Sequence, residues 1–125
     1  MIGAATRALV RERARARCEY CGLAQTCEPF FTFHIEHIVA RQHGGTDEAE
    51  NLALACYHCN CHKGPNLTAV DPQSGQVVPL FDPRQQVWSG HFRQVGEFVE
   101  GQTAFGRATA SLLKMNAPER RRLRE

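Results

Sequence analysis

The order of hydrophobic and polar residues divides the first half of the chain into helical and extended segments. Residues 5–16 are rich in Ala, Arg and Leu, which are strong helix formers, and they predict a helix. Residues 30–39 are dense in aromatic and β-branched residues that alternate with polar ones. This alternation predicts a strand with one buried face and one more polar face. A short apolar run over residues 52–55 leads into a predicted helix over residues 56–63, which the following Gly-Pro pair ends.

The second half of the chain has a pattern of short strands followed by a helix. Residues 67–71 and 76–81 predict two strands, because a Pro-Gln-Ser-Gly segment with strong turn preference joins them. Residues 91–94 and 97–99 predict a further hairpin around a glycine. Residues 103–115 begin with a threonine suited to capping and carry apolar side chains at helical spacing, so they predict the last helix.

Length and composition are those of a small folded domain. A chain of 125 residues suits one compact domain, and 42% hydrophobic with 22% charged residues exclude bulk disorder. The net charge of +2 is too small to argue for nucleic-acid binding, but arginines are concentrated at both ends. They are Arg7, Arg11, Arg13, Arg15, Arg17, Arg120, Arg121, Arg122 and Arg124. These basic ends either contact phosphates or form solvated helix faces and a frayed tail.

Signals for membrane insertion or export are weak in this sequence. No stretch approaches the roughly 18 consecutive apolar residues that a membrane span needs. The N-terminal segment lacks the apolar core of a secretory signal, and an amphipathic helix explains its arginines better than a transit peptide does. We therefore expect a cytoplasmic protein without a membrane partner.

Cysteine spacing indicates a metal site. Four of the six cysteines form two Cys-x-x-Cys pairs, Cys18 with Cys21 and Cys56 with Cys59. In a reducing compartment such pairs favour a tetrahedral zinc site over disulfides, and zinc binding also contributes folding free energy. The alternative is that the four thiols merely pack together or form disulfides. Cys27 and Cys61 are then left over, and we expect both to be free thiols.

The segment between the two cysteine pairs carries polar residues suited to phosphodiester hydrolysis. Glu36 and Asn60 offer oxygen ligands of the kind that Mg²⁺ and Mn²⁺ prefer. His37, with an ordinary pKa of about 6.5, can take a proton from water near neutral pH. A bound metal would stabilise the charge that develops on the scissile phosphate. We therefore predict a one-metal site in which Asn51 orients His37.

Each of these residues also has a purely structural interpretation. Glu36 could be a surface acid and His37 a structural histidine, while the two asparagines could cap turns. Lys63 shares a helical face with Asn60, where it would contact phosphate or remain solvated. His62 is a further candidate for a nucleic-acid contact. Adjacent strand residues point to opposite faces, so Glu36 and His37 can share a site only where the strand ends or bends.

The order of the motifs resembles a known nuclease family. The motifs are Cys18-x2-Cys21, Ile35-Glu36-His37-Ile38, Gly44-Gly45-Thr46-Asp47, Asn51-Leu52, and Cys56-x2-Cys59-Asn60 followed by Lys63-Gly64. Over residues 18–64 they are similar to the HNH (ββα-metal) endonucleases, in the small bacterial, zinc-bearing form with two Cys-x-x-Cys knuckles. The resemblance implies that Glu36 and Asn60 bind the catalytic metal, that His37 is the general base and that Asn51 orients it. Glu36 stands where the family more often has Asp.

The resemblance also implies the architecture. It predicts an α+β fold with a small ββα-metal (His-Me finger) core and a four-cysteine structural zinc site. An N-terminal helix and a C-terminal β-hairpin/helix extension flank this core. We expect one HNH nuclease domain over residues 1–125, with its core at about 18–64 and an extension over 65–125 that carries no catalytic residues. The implied cofactors are a structural Zn²⁺ and a catalytic Mg²⁺ or Mn²⁺.

Three functions compete on this evidence. The first is a metal-dependent endonuclease acting on DNA. The second is a non-catalytic zinc-ribbon module that binds nucleic acid through its basic ends, and the third is a zinc-stabilised module for protein interaction or regulation. Glu36, His37 and Asn60 together favour the nuclease, because a pure binder needs none of them. The sequence does not determine the form of the nucleic acid, the sequence specificity or the oligomeric state.

Overall fold

The computed structural model describes residues 2–125, which form an α+β fold, as predicted. The helices are α1 Ala4–Arg13, α2 Tyr57–Lys63, α3 Ala104–Leu112 and α4 Pro118–Arg122. The strands are β1 His34–His37, β2 Leu52–Ala55, β3 Thr68–Val70, β4 Val77–Pro79, β5 Phe92–Val95 and β6 Phe98–Gly101. Consecutive strands pair antiparallel in three two-stranded sheets. All the elements predicted from the sequence are present, and α4 is an addition.

A ββα unit forms the centre of the first half. β1 pairs with β2 in a register that places Glu36 opposite Ala53 and His37 opposite Leu52. Every residue of β2 is buried, which agrees with its uninterrupted apolar sequence. α2 follows directly, because the Cys56 side chain accepts a hydrogen bond from the Cys59 amide and so caps the helix. This unit carries most of the polar residues that the sequence singled out.

The first strand is shorter than the sequence predicts, since it begins at His34 rather than at residue 30. The Gln25 side chain binds the backbone that precedes β1. Gln25 Nε2 donates to the Phe31 carbonyl at 2.9 Å, and Gln25 Oε1 accepts from the Phe33 amide at 2.7 Å. These bonds replace those that a strand partner would make. The predicted alternation of faces also fails, because Glu36 is buried whereas Phe31 is exposed.

The second half packs against the first and completes one hydrophobic core. Buried core residues come from both halves and include Val10, Tyr20, Phe33, Leu52, Leu54, Phe81, Phe92, Val99, Leu113 and Met115. The Phe81 amide donates to the Thr109 hydroxyl at 2.8 Å, which joins α3 to the loop after β4. The side chain of Thr103 accepts from the Gly106 amide and caps α3, as predicted.

A buried ion pair ties the hairpin of β3 and β4 to α3. The Asp71 side chain is fully buried and accepts two hydrogen bonds from Arg107, at 2.9 Å each. Ser74 and the Gln73 amide donate to the same carboxylate. The Arg107 guanidinium, followed by these lesser donors, holds the pKa of Asp71 well below its usual range.

Replacing Asp71 with Asn should destabilise the protein, because Arg107 would lose its buried countercharge. The depressed pKa means that the Asp71 contribution is present above the ordinary carboxyl pKa of about 3.9 and is lost as the pH falls further. We expect Asp71→Asn to lower the Tm by several degrees at pH 7, with a smaller difference from wild type at pH 3. Thermal unfolding followed by circular dichroism measures both values.

The matched control is Arg93→Ala, which removes an exposed pair with Glu100 at 3.4 Å. Such surface pairs contribute little, so its Tm should equal that of wild type. Equal Tm values for Asp71→Asn and Arg93→Ala would contradict the structural role of the buried pair.

Candidate metal centre and active site

The cysteines of the two knuckles form one buried cluster. The Sγ atoms of Cys18, Cys21, Cys56 and Cys59 all lie within 4.8 Å of one another. Those of Cys21 and Cys56 are 3.8 Å apart, and all the thiols are free of disulfides. A tetrahedral zinc with Zn–S bonds of about 2.3 Å places its sulfur ligands about 3.8 Å apart. The donor set and its spacing therefore indicate a structural zinc.

Each knuckle folds its backbone around its first sulfur. The Cys21 amide lies 3.5 Å from the Cys18 sulfur, and the Cys59 amide lies 3.4 Å from the Cys56 sulfur. Such N–H donors favour the thiolate form that zinc binds. Gly22 completes the first knuckle at a φ of +81°, in the left-handed region that other residues rarely adopt.

The two cysteines outside the pairs do not join this cluster. Cys27 and Cys61 are both exposed free thiols, as the sequence predicted. They stand on the surface, whereas the four knuckle sulfurs are buried together.

Glu36 lies in a buried polar triad with two partners. Its Oε1 accepts from the Lys63 ammonium at 2.7 Å, and its Oε2 accepts from the Tyr20 hydroxyl at 2.9 Å. Burial raises the pKa of Glu36, although Lys63 and Tyr20 oppose that rise. Tyr20 stands between the two cysteines of the first knuckle, so the cysteine cluster and Glu36 are held by one short segment. Sequence reasoning missed Tyr20, although its place inside the knuckle was a signal.

The predicted nucleic-acid contact by Lys63 is wrong. Its side chain is 2% exposed, and besides Glu36 its Nζ donates to the Ile38 carbonyl at 2.9 Å. This face of α2 packs on β1 rather than facing solvent. His62 is half-buried, with its Nδ1 2.8 Å from the His58 carbonyl and its ring tilted by 38° against that of His58 at a centroid distance of 4.1 Å. Its contact with nucleic acid stays a prediction.

The ring of His37 is held by the carboxylate of Asp47, which the sequence placed only in the Gly44-Gly45-Thr46-Asp47 motif. The Nε2 of His37 lies 2.8 Å from Oδ1 of Asp47. Arg41 donates to both oxygens of the same carboxylate, at 2.8 and 2.7 Å. Hydrogen bonds from His37 and Arg41 hold the pKa of Asp47 well below its usual range, so this group is ionised at neutral pH. Its place in the loop after His37 was the available signal.

Asn51 contacts the loop backbone rather than the His37 ring, and its predicted role in orienting His37 stays a prediction. Its Oδ1 accepts from the Val39 amide at 3.0 Å. Its Nδ2 donates to the carbonyls of Val39 at 3.0 Å and Thr46 at 2.8 Å. These bonds close the loop that carries Asp47. Gly45 permits the closure, because a Cβ there would lie 1.7 Å from the Val39 carbonyl oxygen.

Three of the predicted site residues line one open cleft of about 450 Å³. Its walls are Ile35, Glu36, His37, Ala40, Arg41, Gln42, Asn60, Gly64 and Pro65. β1 ends at His37, which allows the adjacent Glu36 and His37 to face the same space. The His37 side chain is 22% exposed, so water can reach it. The cleft therefore combines a carboxylate, an imidazole and an amide at one place.

Most arginines of the basic ends bind the protein itself. Arg11 donates to the Phe33 carbonyl at 3.0 Å, and Arg13 donates to the Leu52 carbonyl at 2.8 Å. Near the C-terminus, Arg120 is buried and pairs with Glu28 at 3.2 Å. Arg121, Arg124 and Arg17 also donate to side chains or carbonyls of the chain. Most of these arginines are therefore anchored to the chain, and their contact with phosphate stays a prediction.

Comparison with known proteins supports the assignment made from the motifs. The family model described as HNH endonuclease matches residues 18–66 of the chain. This match and the cysteine cluster confirm the HNH resemblance, support nuclease activity and imply a nucleic-acid substrate. No curated protein and no solved structure matches the chain significantly. Within residues 2–125, no helix has the length and apolar character that a membrane span requires.

Replacing Cys18 or Cys56 with Ser should abolish zinc binding and the folded state, because the cluster would lose one of its four sulfur ligands. We expect purified wild-type protein to contain about one zinc per chain. Elemental analysis measures the metal content, and circular dichroism measures folding.

The controls for that experiment are Cys27→Ser and Cys61→Ser, which alter exposed thiols outside the cluster. Both variants should retain zinc and fold normally. Loss of zinc from either control, or its retention in Cys18→Ser, would contradict the assigned ligand set.

Replacing Lys63 with Met should lower the free energy of unfolding by about 3–5 kcal/mol, because Glu36 would remain as an uncompensated buried charge. The double variant Glu36→Gln/Lys63→Met removes both charges and should recover much of this loss. Urea unfolding of the two single variants and the double variant measures the coupling. Additive effects would show that the pair is not energetically coupled.

Proposed function

Starting from the HNH endonuclease match of residues 18–66, we propose that this chain is a metal-dependent endonuclease that hydrolyses phosphodiester bonds in DNA. The observation that carries the proposal is the meeting of Glu36, His37 and Asn60 in one solvent-open cleft. A carboxylate and an amide beside an imidazole are the groups that metal-assisted hydrolysis of a phosphodiester needs. The buried cysteine cluster lies outside this cleft and serves the fold.

In this proposal His37 is the general base. Its Nε2 is bound to the ionised Asp47, so this nitrogen carries the proton in the neutral ring. Among residues 2–125 its Nδ1 makes no hydrogen bond, which leaves that lone pair available to take a proton from water. Asp47 would stabilise the imidazolium that forms, as a carboxylate behind a catalytic histidine does.

Asp47 and Asn51 are positioning residues in this scheme. Asp47 orients the ring of His37 directly, and Arg41 fixes the carboxylate from its other side. Asn51 acts one step further away, because it closes the loop backbone at Val39 and Thr46. Asn51 would therefore orient His37 indirectly, because it fixes the loop that positions Asp47 against the His37 ring.

Glu36 and Asn60 would hold the catalytic Mg²⁺ or Mn²⁺. The donor set fits such an ion, since Mg²⁺ is commonly held by one or two carboxylates and keeps several waters. Lys63 and Tyr20 use one lone pair on each Glu36 oxygen, and a carboxylate has about four. When bound, the metal would offset negative charge on the phosphate and on the leaving oxygen. The two partners would hold the Glu36 carboxylate in place facing the cleft.

A non-catalytic zinc-ribbon binder has less support than the nuclease. That alternative relied on the arginine-rich ends, and most of those arginines donate to carbonyls or carboxylates of the chain itself.

The exposed free thiols Cys27 and Cys61 suit a reducing compartment, so we also propose a cytoplasmic location.

The wild-type protein should cleave supercoiled plasmid with Mg²⁺ or Mn²⁺, and EDTA should abolish the activity. His37→Ala should lower the cleavage rate at least about 100-fold, because the general base is lost. Asp47→Asn should cause a smaller loss, because the ring remains but its orienting charge is gone. Gel analysis of nicked and linear products over time measures all three rates.

The matched control is His43→Ala, which changes an exposed histidine of the same loop that does not line the cleft. It should cleave at the wild-type rate, and every variant is checked for zinc content and folding. Retained cleavage by folded His37→Ala would overturn the assignment of the base. Absence of cleavage of any DNA form with either metal would overturn the nuclease proposal.

A further inference from the structure

A small aromatic surface lies beside the cleft. We call it the aromatic step, and it consists of Phe31, His34 and Tyr57. The rings of Phe31 and Tyr57 stack with centroids 4.6 Å apart and planes 14° apart, and the His34 ring lies 5.9 Å from that of Tyr57. Phe31 is 49% exposed and Tyr57 is 44% exposed. Stacked aromatic rings left this open to water indicate a surface that binds something.

The aromatic step is held rigidly. Both backbone groups that flank Thr32 are bonded to the side chain of Gln25, through the Phe31 carbonyl and the Phe33 amide. Tyr57 is the first residue of α2, whose capping residue belongs to the cysteine cluster. Little conformational entropy would therefore be lost when a planar ligand stacks on these rings.

The aromatic step and the cleft lie along the same two elements. Tyr57 of α2 is next to His34 of β1, and Lys63 of α2 is next to Glu36 of β1. From His34 to Glu36 is roughly 7 Å along the strand, and from Tyr57 to Asn60 is roughly 4.5 Å along the helix. The step is therefore about one nucleotide away from the groups assigned to the scissile phosphate.

We propose that the aromatic step stacks an unpaired base of the nucleic-acid strand, next to the phosphate held in the cleft. The inference rests on the proposed nuclease function for the position of that phosphate. The substrate would then be single-stranded nucleic acid, or a duplex with an unpaired region at the cutting site. A fully paired duplex keeps its bases inside the stack, where these rings cannot reach them.

The charge around the aromatic step suits a polynucleotide. Thr32, which follows Phe31 in the chain, lines a hollow of about 460 Å³ together with Arg11, Ala16, Gln25 and Leu54. The guanidinium, amide and hydroxyl groups of this hollow are donors that phosphate oxygens accept, and its wall carries no carboxylate. Exposed aromatic rings with an arginine nearby suit single strands, because every base offers a π face and the guanidinium attracts phosphate.

Fluorescence anisotropy with the zinc-loaded full chain tests this inference in buffer without added Mg²⁺ or Mn²⁺, so that no cleavage takes place. The probes are a fluorescein-labelled oligodeoxythymidine and a blunt duplex of the same length. We expect wild type to prefer the single strand, and Phe31→Ala and Tyr57→Ala to weaken that binding about tenfold or more. Tyr57→Phe keeps the ring and should bind as wild type does.

The matched control is Val87→Ala, which shortens an apolar side chain that is 73% exposed and lies outside the aromatic step and the cleft. It should leave single-strand binding unchanged, as zinc content and circular dichroism confirm folding in each variant. An oligonucleotide with abasic sites at its centre has no base there to stack. Wild type and Tyr57→Ala should therefore bind it with equal affinity. Equal binding of the base-containing strand by wild type and folded Phe31→Ala would overturn the inference.

This experiment fails separately from the nuclease assay. Because binding is read without added Mg²⁺ or Mn²⁺, inactivity of the wild type on plasmid leaves the stacking measurement intact. Plasmid cleavage with unchanged binding by Phe31→Ala and Tyr57→Ala would keep the nuclease and remove the stacking site. Loss of single-strand affinity in both alanine variants, with Tyr57→Phe unaffected, would support stacking whatever the cleavage result.

Discussion

The four-cysteine cluster is the constraint on which the rest of the structure depends. It joins a knuckle near residue 20 to one near residue 57, which are far apart in the chain. Tyr20, which lies within the first knuckle, donates a hydrogen bond to Glu36. α2 begins at the second knuckle and carries Lys63, which pairs with the same carboxylate. Closing such a long loop costs conformational entropy, and a metal bound by thiolates can supply that free energy.

The burial of Glu36 has two consequences that oppose each other. Desolvation alone would favour the neutral acid and raise its pKa, whereas Lys63 and Tyr20 favour the carboxylate. The pair is satisfied without external ligands, which explains how a carboxylate that is 6% exposed can be tolerated. A divalent cation at Glu36 would have to share the carboxylate with the Lys63 ammonium. In the proposed function this competition would limit how tightly the cleft holds a metal.

The loop between β1 and β2 serves as a support for His37. Asn51 and Gly45 close its backbone, Arg41 and Asp47 form its ionic centre, and the Asp47 carboxylate holds the ring. None of these groups needs to touch a substrate in order to matter. In the proposed mechanism they would remove freedom from the imidazole before a phosphodiester binds, which would lower the cost of reaching a reactive geometry.

The sequence by itself determined the features that depend on spacing along the chain. The two Cys-x-x-Cys pairs, the strand ahead of His37, the capped helix at Thr103 and the HNH motif order could all be predicted, because they rest on local geometry and ligand chemistry. The positions of Glu36, His37 and Asn60 in one cleft agreed with that motif order.

Only the tertiary structure decided what each charged group faces. Lys63 had the spacing of a surface residue, yet it is buried on Glu36 because α2 packs on β1 through that side. Asp47 had no assigned role in the sequence beyond its motif, yet loop closure brings it to His37. The arginines of both ends looked like phosphate ligands, yet folding delivers carbonyls and carboxylates to them. Such partners come from distant parts of the chain, so hydrophobic periodicity and local preference carry no information about them.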